Sequence, residues 1–323
     1  MGLVRQAGIR RVDRKFDVLG ATKRVVKRLP MFDYCIGTLI QRGKPNSTFF
    51  NHRENLADAP ELECTKILSE RTLYADRLQE VQSFYGVSRV RLLAHYLRNG
   101  TPNTNYYRQR LEDIFDSHGT DADRLKLSYE RASFMYVNRL MLRYHHYRLG
   151  LQAQAIVKEL TDRKPSELRV LDYGCGVADP SLFLALQGAQ VTLVDLADPK
   201  FDFTRSRFRA RGLHHVAIAA EQTEEPVPIE GVFDVVLMAE FLEHVRSPRR
   251  FLEYALDHLA QDGVFYDSLG PVFRHNVGGQ HLREAKAELS ETDYEDFFGR
   301  NLQAVNDLLG KMDYPHFYVR AGR

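Results

Sequence analysis

Tryptophan is absent from the 323 residues, so any aromatic pocket must be built from the 16 tyrosines and 19 phenylalanines. Cysteine is nearly as scarce. Cys35, Cys64 and Cys175 form an odd, widely separated set with no CxxC pair, which excludes a disulfide framework and makes a reducing compartment the default. No apolar run reaches the roughly 18 residues that a membrane-spanning helix needs. The opening MGLVRQAGIRRVDRKF lacks the apolar stretch of a secretory signal. Gln6 stands where the myristoylation pattern requires Ser or Thr, and without a signal the sequon Asn46-Ser47-Thr48 carries little weight. These absences lead to the expectation of a cytoplasmic protein. A strong charge of one sign is also missing: the net charge is +2, so no polyanion is implied as an obligatory partner.

What is present divides into unlike parts. The length favours two packed units or one domain with a large extension. Residues 1–30 form a basic arm, with nine Lys or Arg against Asp13 and Asp17, a local excess of +7. A solvated face is the ordinary reading of such a run, and contact with an anionic surface or nucleic acid is the other. Residues 31–161 read as a helical cap or substrate region. From residue 54 apolar side chains recur at helical spacing, as in Val90, Leu92, Leu93 and Tyr96, and Gly86 and Asn99-Gly100-Thr101-Pro102 punctuate the run. The texture changes at Lys164-Pro165. From 162 to 323 short apolar runs at 169–172, 191–195, 216–219, 233–237 and 263–267 alternate with helical stretches at 180–188, 201–212 and 248–260. Parallel strands need a crossover helix, so this rhythm predicts an α/β fold with a doubly wound, mostly parallel sheet. A helix over 291–311 is expected to lead to one final strand, Phe317 to Arg320, which would leave that edge of the sheet shortened.

The chemistry concentrates where the first of these strands ends. Asp172 closes the strand, Gly174 and Gly176 make a turn, and a helix begins at Asp179-Pro180, with Pro suited to a first turn and Asp179 to a cap. Glycine lets the backbone approach a ligand closely. The next strand ends at Asp195, where a carboxylate is placed to accept the hydroxyls of a ribose. A dinucleotide fingerprint would set its third glycine at Asp179, and a negative charge there disfavours a diphosphate. Acids at 172 and 179 instead suit a cationic ligand without phosphate.

This stretch resembles the first motif of class I (Rossmann-like) methyltransferases that use S-adenosylmethionine (SAM), an acid followed by G-x-G-x-G, with Ala178 in place of the third glycine. Further matches follow in register. Asp195 resembles the ribose-holding acid and Ala220-Glu221 the position beside adenine. Phe233-Asp-Val-Val-Leu-Met-Ala-Glu240-Phe-Leu-Glu-His244-Val is very like the fourth-strand motif of the ubiquinone-biosynthesis type of small-molecule methyltransferase. Leu259-Ala-Gln-Asp-Gly263 resembles the L-x-P-G-G turn, with Gln261 and Asp262 departing from it. The resemblance covers about residues 165–270. It implies SAM as cofactor, S-adenosylhomocysteine as product, and a cofactor site drawn from Asp172, Gly174, Gly176, Ala178, Asp195, Leu196, Glu221, Met238, Ala239 and Glu240.

Methyl transfer from a sulfonium requires alignment, exclusion of water and often a base. His275 and His281 are the candidate catalytic residues, in the loop Leu269-Gly-Pro-Val-Phe-Arg274-His275-Asn-Val-Gly278-Gly279-Gln-His281 that leaves the fifth strand. Arg274, Glu240, Tyr144 and Tyr147 are the candidate substrate contacts. His244 reads as structural. His145 and His146 are adjacent and diverge on a helix, so no metal is expected. An Asn- or Asp-Pro-Pro-aromatic motif and a Pro-Cys nucleophile are both absent, which lowers DNA-base methylation. The resulting reading is methyl transfer to O or N, less often C, of a small-molecule acceptor, with a homodimer through the helical region as one arrangement. Three alternatives stay open: a non-catalytic SAM-fold scaffold, an RNA or protein methyltransferase docking through the basic arm, and an NAD-dependent oxidoreductase.

Overall fold

The apolar runs of the C-terminal half become the inner strands of one sheet, as expected for strands covered on both faces. The computed structural model describes residues 70–92, 95, 121–142, 157, 161, 163–221, 224–267, 282–288, 296–297, 299–304 and 317–321. In chain order these form α1 (Glu70–Tyr85), α2 (Asp121–Leu142), β1 (Arg169–Tyr173), α3 (Asp179–Leu186), β2 (Gln190–Leu196), α4 (Pro199–Ala210), β3 (His215–Ala220), β4 (Phe233–Met238), α5 (Pro248–Asp257), β5 (Leu259–Asp267), α6 (Arg283–Glu288), β6 (Leu302–Ala304) and β7 (Phe317–Arg320).

The seven strands are ordered β3-β2-β1-β4-β5-β7-β6. β1 to β5 run parallel, and β7 is antiparallel to both β5 and β6. The chain moves outward from β1 to β3, then returns to lay β4 on the other side of β1. The boundary between β1 and β4 is therefore the topological switch point, and the crevice outside the carboxyl ends of these two strands is where this architecture binds ligands.

The expected doubly wound fold is observed. The helix expected over 291–311 is corrected: Leu302–Ala304 is β6, paired with β7 through Leu302↔Arg320 and Ala304↔Tyr318. The final antiparallel pair is present, so that edge is not shortened. A three-residue strand has too little alternation to stand out from the helical residues before it. β5 also begins earlier than expected, at Leu259, because a register shift between the pairs Phe233↔Leu259 and Val235↔Val264 absorbs the intervening residues.

Both sheet faces carry apolar cores. Phe201 and Phe208 of α4 and Leu182 and Leu184 of α3 cover one face. On the other, α5 buries Phe251, Leu252, Ala255 and Leu256, a single helical stripe, against Leu171, Val236 and Phe265. A third cluster joins α1 and α2 to the sheet domain, with Leu78, Val81, Leu92, Val137 and Met141 around Phe203 of α4 and Val177. α1 ends where Gly86 takes φ +61°, as its position in the sequence suggested. Among the described residues no helix is long and apolar enough to cross a membrane. The basic arm over 1–30 lies outside the described residues.

Candidate functional site

β1 delivers the backbone into a sharp turn tied to the neighbouring strand: the N–H groups of Gly174 and Cys175 donate to the carbonyl of Val194 at 2.8 and 3.1 Å. Gly174, Gly176 and Ala178 all take left-handed backbone, with φ of +71°, +56° and +54°. Glycine does so without steric penalty, whereas an L-residue such as Ala178 bears about 1–2 kcal/mol. The missing third glycine is thus a change of residue that keeps the backbone shape. The two glycines serve different ends. A Cβ on Gly174 would lie 2.7 Å from Cγ of Phe241, while one on Gly176 would meet nothing within 4 Å. Gly174 therefore admits an aromatic ring from the end of β4, and Gly176 faces open space.

Three acids surround the turn. Asp172 is buried and accepts from Ser181 Oγ at 2.5 Å, and burial pushes its carboxyl up to about 7. Asp195 accepts from the N–H of Gly176 at 2.7 Å and from that of Leu196 at 2.8 Å. It also pairs with Lys200 Nζ at 2.7 Å. Burial alone would lower the Lys200 ammonium, but Asp195 and Asp198 outweigh it and raise it. Asp179 requires a correction. It is not the cap of α3: that position is Ala178, which makes no side-chain cap. The Asp179 carboxylate instead pairs with Arg77 at 2.5 Å and Arg207 at 3.0 Å. It is neutralised within the protein, so its charge does not discriminate between a diphosphate and a sulfonium. Cys175, between the glycines, is buried and its thiol is pushed up by that burial, which leaves it unreactive.

The end of β4 forms the other wall of the crevice. Met238 is buried, Ala239 half-buried and Glu240 exposed. Glu240 has φ +52° and, with Ala178, makes up the non-glycine residues of positive φ among the described residues. Both stand at strand ends beside the switch point, the kind of place where such sparsely populated backbone clusters. Glu221 is exposed at the end of β3, and its carbonyl accepts from Lys126 Nζ of α2 at 2.8 Å.

Glu243, in the short 3-10 turn Leu242–His244, is 2% exposed. Neither of its carboxyl oxygens has a hydrogen-bond partner among the described residues. Burial pushes it from 4.5 up to about 7. Its contribution to stability is fully present below about 4.5 and is lost as pH rises through about 7. Glu243→Gln is therefore expected to gain stability over the wild type between these values, by up to about 1.4 kcal/mol per pH unit. Urea unfolding at about pH 5 and about pH 8 checks this; two parallel pH profiles would count against it.

His281, His275, Arg274, Tyr144 and Tyr147 lie outside the described residues. Leu282, next in sequence to His281, donates its N–H to the carbonyl of Glu243 at 2.9 Å. Among the described residues there is no group of three or more His, Cys, Asp or Glu that could hold a metal ion.

Sequence reading missed Lys200, Phe241 and the arginines at Asp179. Lys200 carried a signal: a cation in the first turn of a helix opposes the helix dipole and so asks for a local partner. Phe241 and the arginines carried none, because an aromatic after a strand and a run such as Thr204-Arg-Ser-Arg-Phe-Arg read equally well as ordinary surface.

Residues 144–272 match a family model described as a methyltransferase domain. That match spans β1 to β5, the switch-point crevice and the glycine turn. Over this stretch the chain is similar to methyltransferase domains. The methyltransferase domain is 38% identical over 107 residues to a ubiquinone biosynthesis O-methyltransferase of Bordetella bronchiseptica, covering 31% of this chain and 42% of that protein. It is 29% identical over 134 residues to the tRNA 5-carboxymethoxyuridine methyltransferase of Escherichia coli K12, covering 39% of this chain and 51% of that protein. The chain thus spans about half the length of these curated relatives. Among solved structures, magnesium protoporphyrin IX methyltransferase from Synechocystis PCC 6803 aligns at 15% identity with a TM-score of 0.45, over 64% of this chain and 99% of that one.

Proposed function

We propose that this protein transfers the methyl group of SAM to an oxygen or nitrogen of a small-molecule acceptor. The observation that carries the reading is the switch-point crevice itself. An open left-handed turn at Gly176 is hydrogen-bonded to the Asp195 carboxylate, opposite a left-handed Glu240. These residues fit SAM. The turn offers backbone and open space, Asp195 offers an acceptor for hydroxyls, and the nearby ammonium of Lys200 is already committed to Asp195 rather than held for a phosphate.

In this reading Gly174, Gly176, Ala178, Asp195 and Leu196 hold the cofactor's nucleoside end and Asp172 supports the turn. Glu221 stands near the base, and Met238, Ala239 and Glu240 line the wall toward the methionine end. SAM supplies an electrophilic methyl group. The chain supplies alignment, exclusion of water and a base for a hydroxyl acceptor, for which His281 is the first choice and His275 the second. Tyr144, Tyr147 and Arg274 are assigned to the acceptor side. The dispersed cysteines support a reducing, cytoplasmic setting.

A second reading has a specific motive. One relative is named for a tRNA modification, and residues 1–30 carry the excess of +7. Methylation of an RNA acceptor docked on this arm would show as salt-dependent RNA binding that disappears on removal of the arm.

Calorimetric titration with SAM, S-adenosylhomocysteine and NAD tests the cofactor. Micromolar binding of the first two and none of the third is expected. Binding of NAD alone would overturn the reading.

A further inference from the structure

The tip of the glycine turn is gripped from outside the methyltransferase domain. Val177 inserts into the apolar cluster of Leu78, Val81, Leu92, Val137 and Met141. Arg77 of α1 donates Nη1 to Asp179 at 2.5 Å. It also donates Nε to the carbonyl of Met141 and Nη2 to that of Leu140, each at 2.9 Å. One buried side chain thus joins the last carbonyls of α2 to the first turn of α3. Arg207 of α4 completes the grip. It donates to the carbonyl of Val177, pairs with Asp179 at 3.0 Å and holds Glu80 of α1 at 2.5 Å. Glu80 also pairs with Arg211. Thr204 Oγ1 donates to the carbonyl of Gly176 at 2.5 Å.

Arg77, Asp179 and Arg207 are 3%, 4% and 2% exposed, so these pairs act in low dielectric and are weakly screened by salt. Burial alone would raise the Asp179 carboxyl, yet the two guanidinium groups hold it below the usual range. It stays ionised and paired. The held segment is also the strained one, since it includes left-handed Ala178, and backbone of that kind persists only where surrounding contacts fix it.

We propose that the helices before the methyltransferase domain are part of the cofactor site, with Arg77, Asp179 and Arg207 acting as positioning residues that hold the 174–179 turn in its binding shape. Arg77 and Glu80 lie well before residue 144, where the family match begins. The cofactor site of this chain would therefore extend beyond the residues that match the family model. This inference rests on the SAM reading for the identity of its ligand, not for the geometry of the grip.

The test uses the full chain carrying Asp179→Asn, which keeps shape and removes charge, or Glu80→Gln, which loosens the outer end of the network. Two quantities are read well below each variant's melting temperature: calorimetric affinity for S-adenosylhomocysteine, and hydrogen exchange of the Gly176 and Ala178 amides without ligand. Asp179→Asn is expected to weaken affinity by about tenfold or more, and to speed both amides similarly while β4 and β5 keep their protection. Glu80→Gln is expected to change both in the same direction by about threefold. A lower melting temperature with affinity and exchange within about twofold of wild type would show a merely stabilising network and overturn the proposal. Should Asp179→Asn fail to fold, Glu80→Gln decides the matter by the same two readouts. Failure of the wild type to bind S-adenosylhomocysteine would sink the SAM reading alone, and amide exchange would still decide the grip.

Discussion

A methyl group added at Gly174 is expected to destabilise the protein by about 3 kcal/mol, the sum of a left-handed alanine and an overpacked ring contact. The backbone there has φ +71°, and the new Cβ would lie 2.7 Å from Cγ of Phe241. That ring has little room to retreat. Tyr173 lies 5.2 Å and Phe251 5.3 Å away between ring centroids, tilted on one side and edge-on on the other. Phe241→Leu in the Gly174→Ala background is expected to recover the ring-contact part and leave the backbone part. Gly176→Ala is the informative contrast. Its φ is +56° and its Cβ would meet nothing within 4 Å, so it should lose only about 1–2 kcal/mol of stability while obstructing the ligand. Urea unfolding of the two single variants and the double, with calorimetry for S-adenosylhomocysteine, separates these roles. Equal stability losses at 174 and 176 would refute the assignment of Gly174 to ring packing.

The contrast also shows what was legible in the sequence. Alternation of buried strands with helices fixes the parallel sheet because period and length are local properties, and every expected strand from β1 to β5 is found. The glycine turn and Asp195 were legible for the same reason, each being marked by a local pattern at a strand end. What was not legible depends on contacts distant in the chain. Asp179 reads as a helix cap beside a turn, and only the arrival of Arg77, 102 residues earlier, shows it to be an ion-pair partner. β6 was lost because three residues carry no period. Gly174 reads as a ligand contact, and nothing local announces that it also makes room for Phe241. Glu240 stands out in the sequence by its place at a strand end, and its left-handed φ is a second and independent mark that no sequence pattern contains.

Asp195→Ala is expected to cost more in stability than in cofactor affinity. As a ribose acceptor, Asp195 would contribute about 1–3 kcal/mol to binding. It also accepts from the N–H of Gly176 and of Leu196 and balances Lys200, whose ammonium lies 2.7 Å away and whose side chain is 7% exposed. Removing one member of a buried pair leaves an uncompensated charge, a loss of about 3–5 kcal/mol. Lys200 retains Asp198 nearby as a second attraction, which favours the lower end of that range. The two effects separate in the double variant Asp195→Ala, Lys200→Met. With both charges gone and a chain of similar length in place of lysine, most of the lost stability should return, whereas cofactor affinity should stay low because no acceptor replaces the carboxylate. Urea unfolding and calorimetry with S-adenosylhomocysteine measure the two quantities on the same samples. Recovery of affinity along with stability would mean that Asp195 serves the cofactor only by holding Gly176 and Lys200, and the ribose role would then have to be given up.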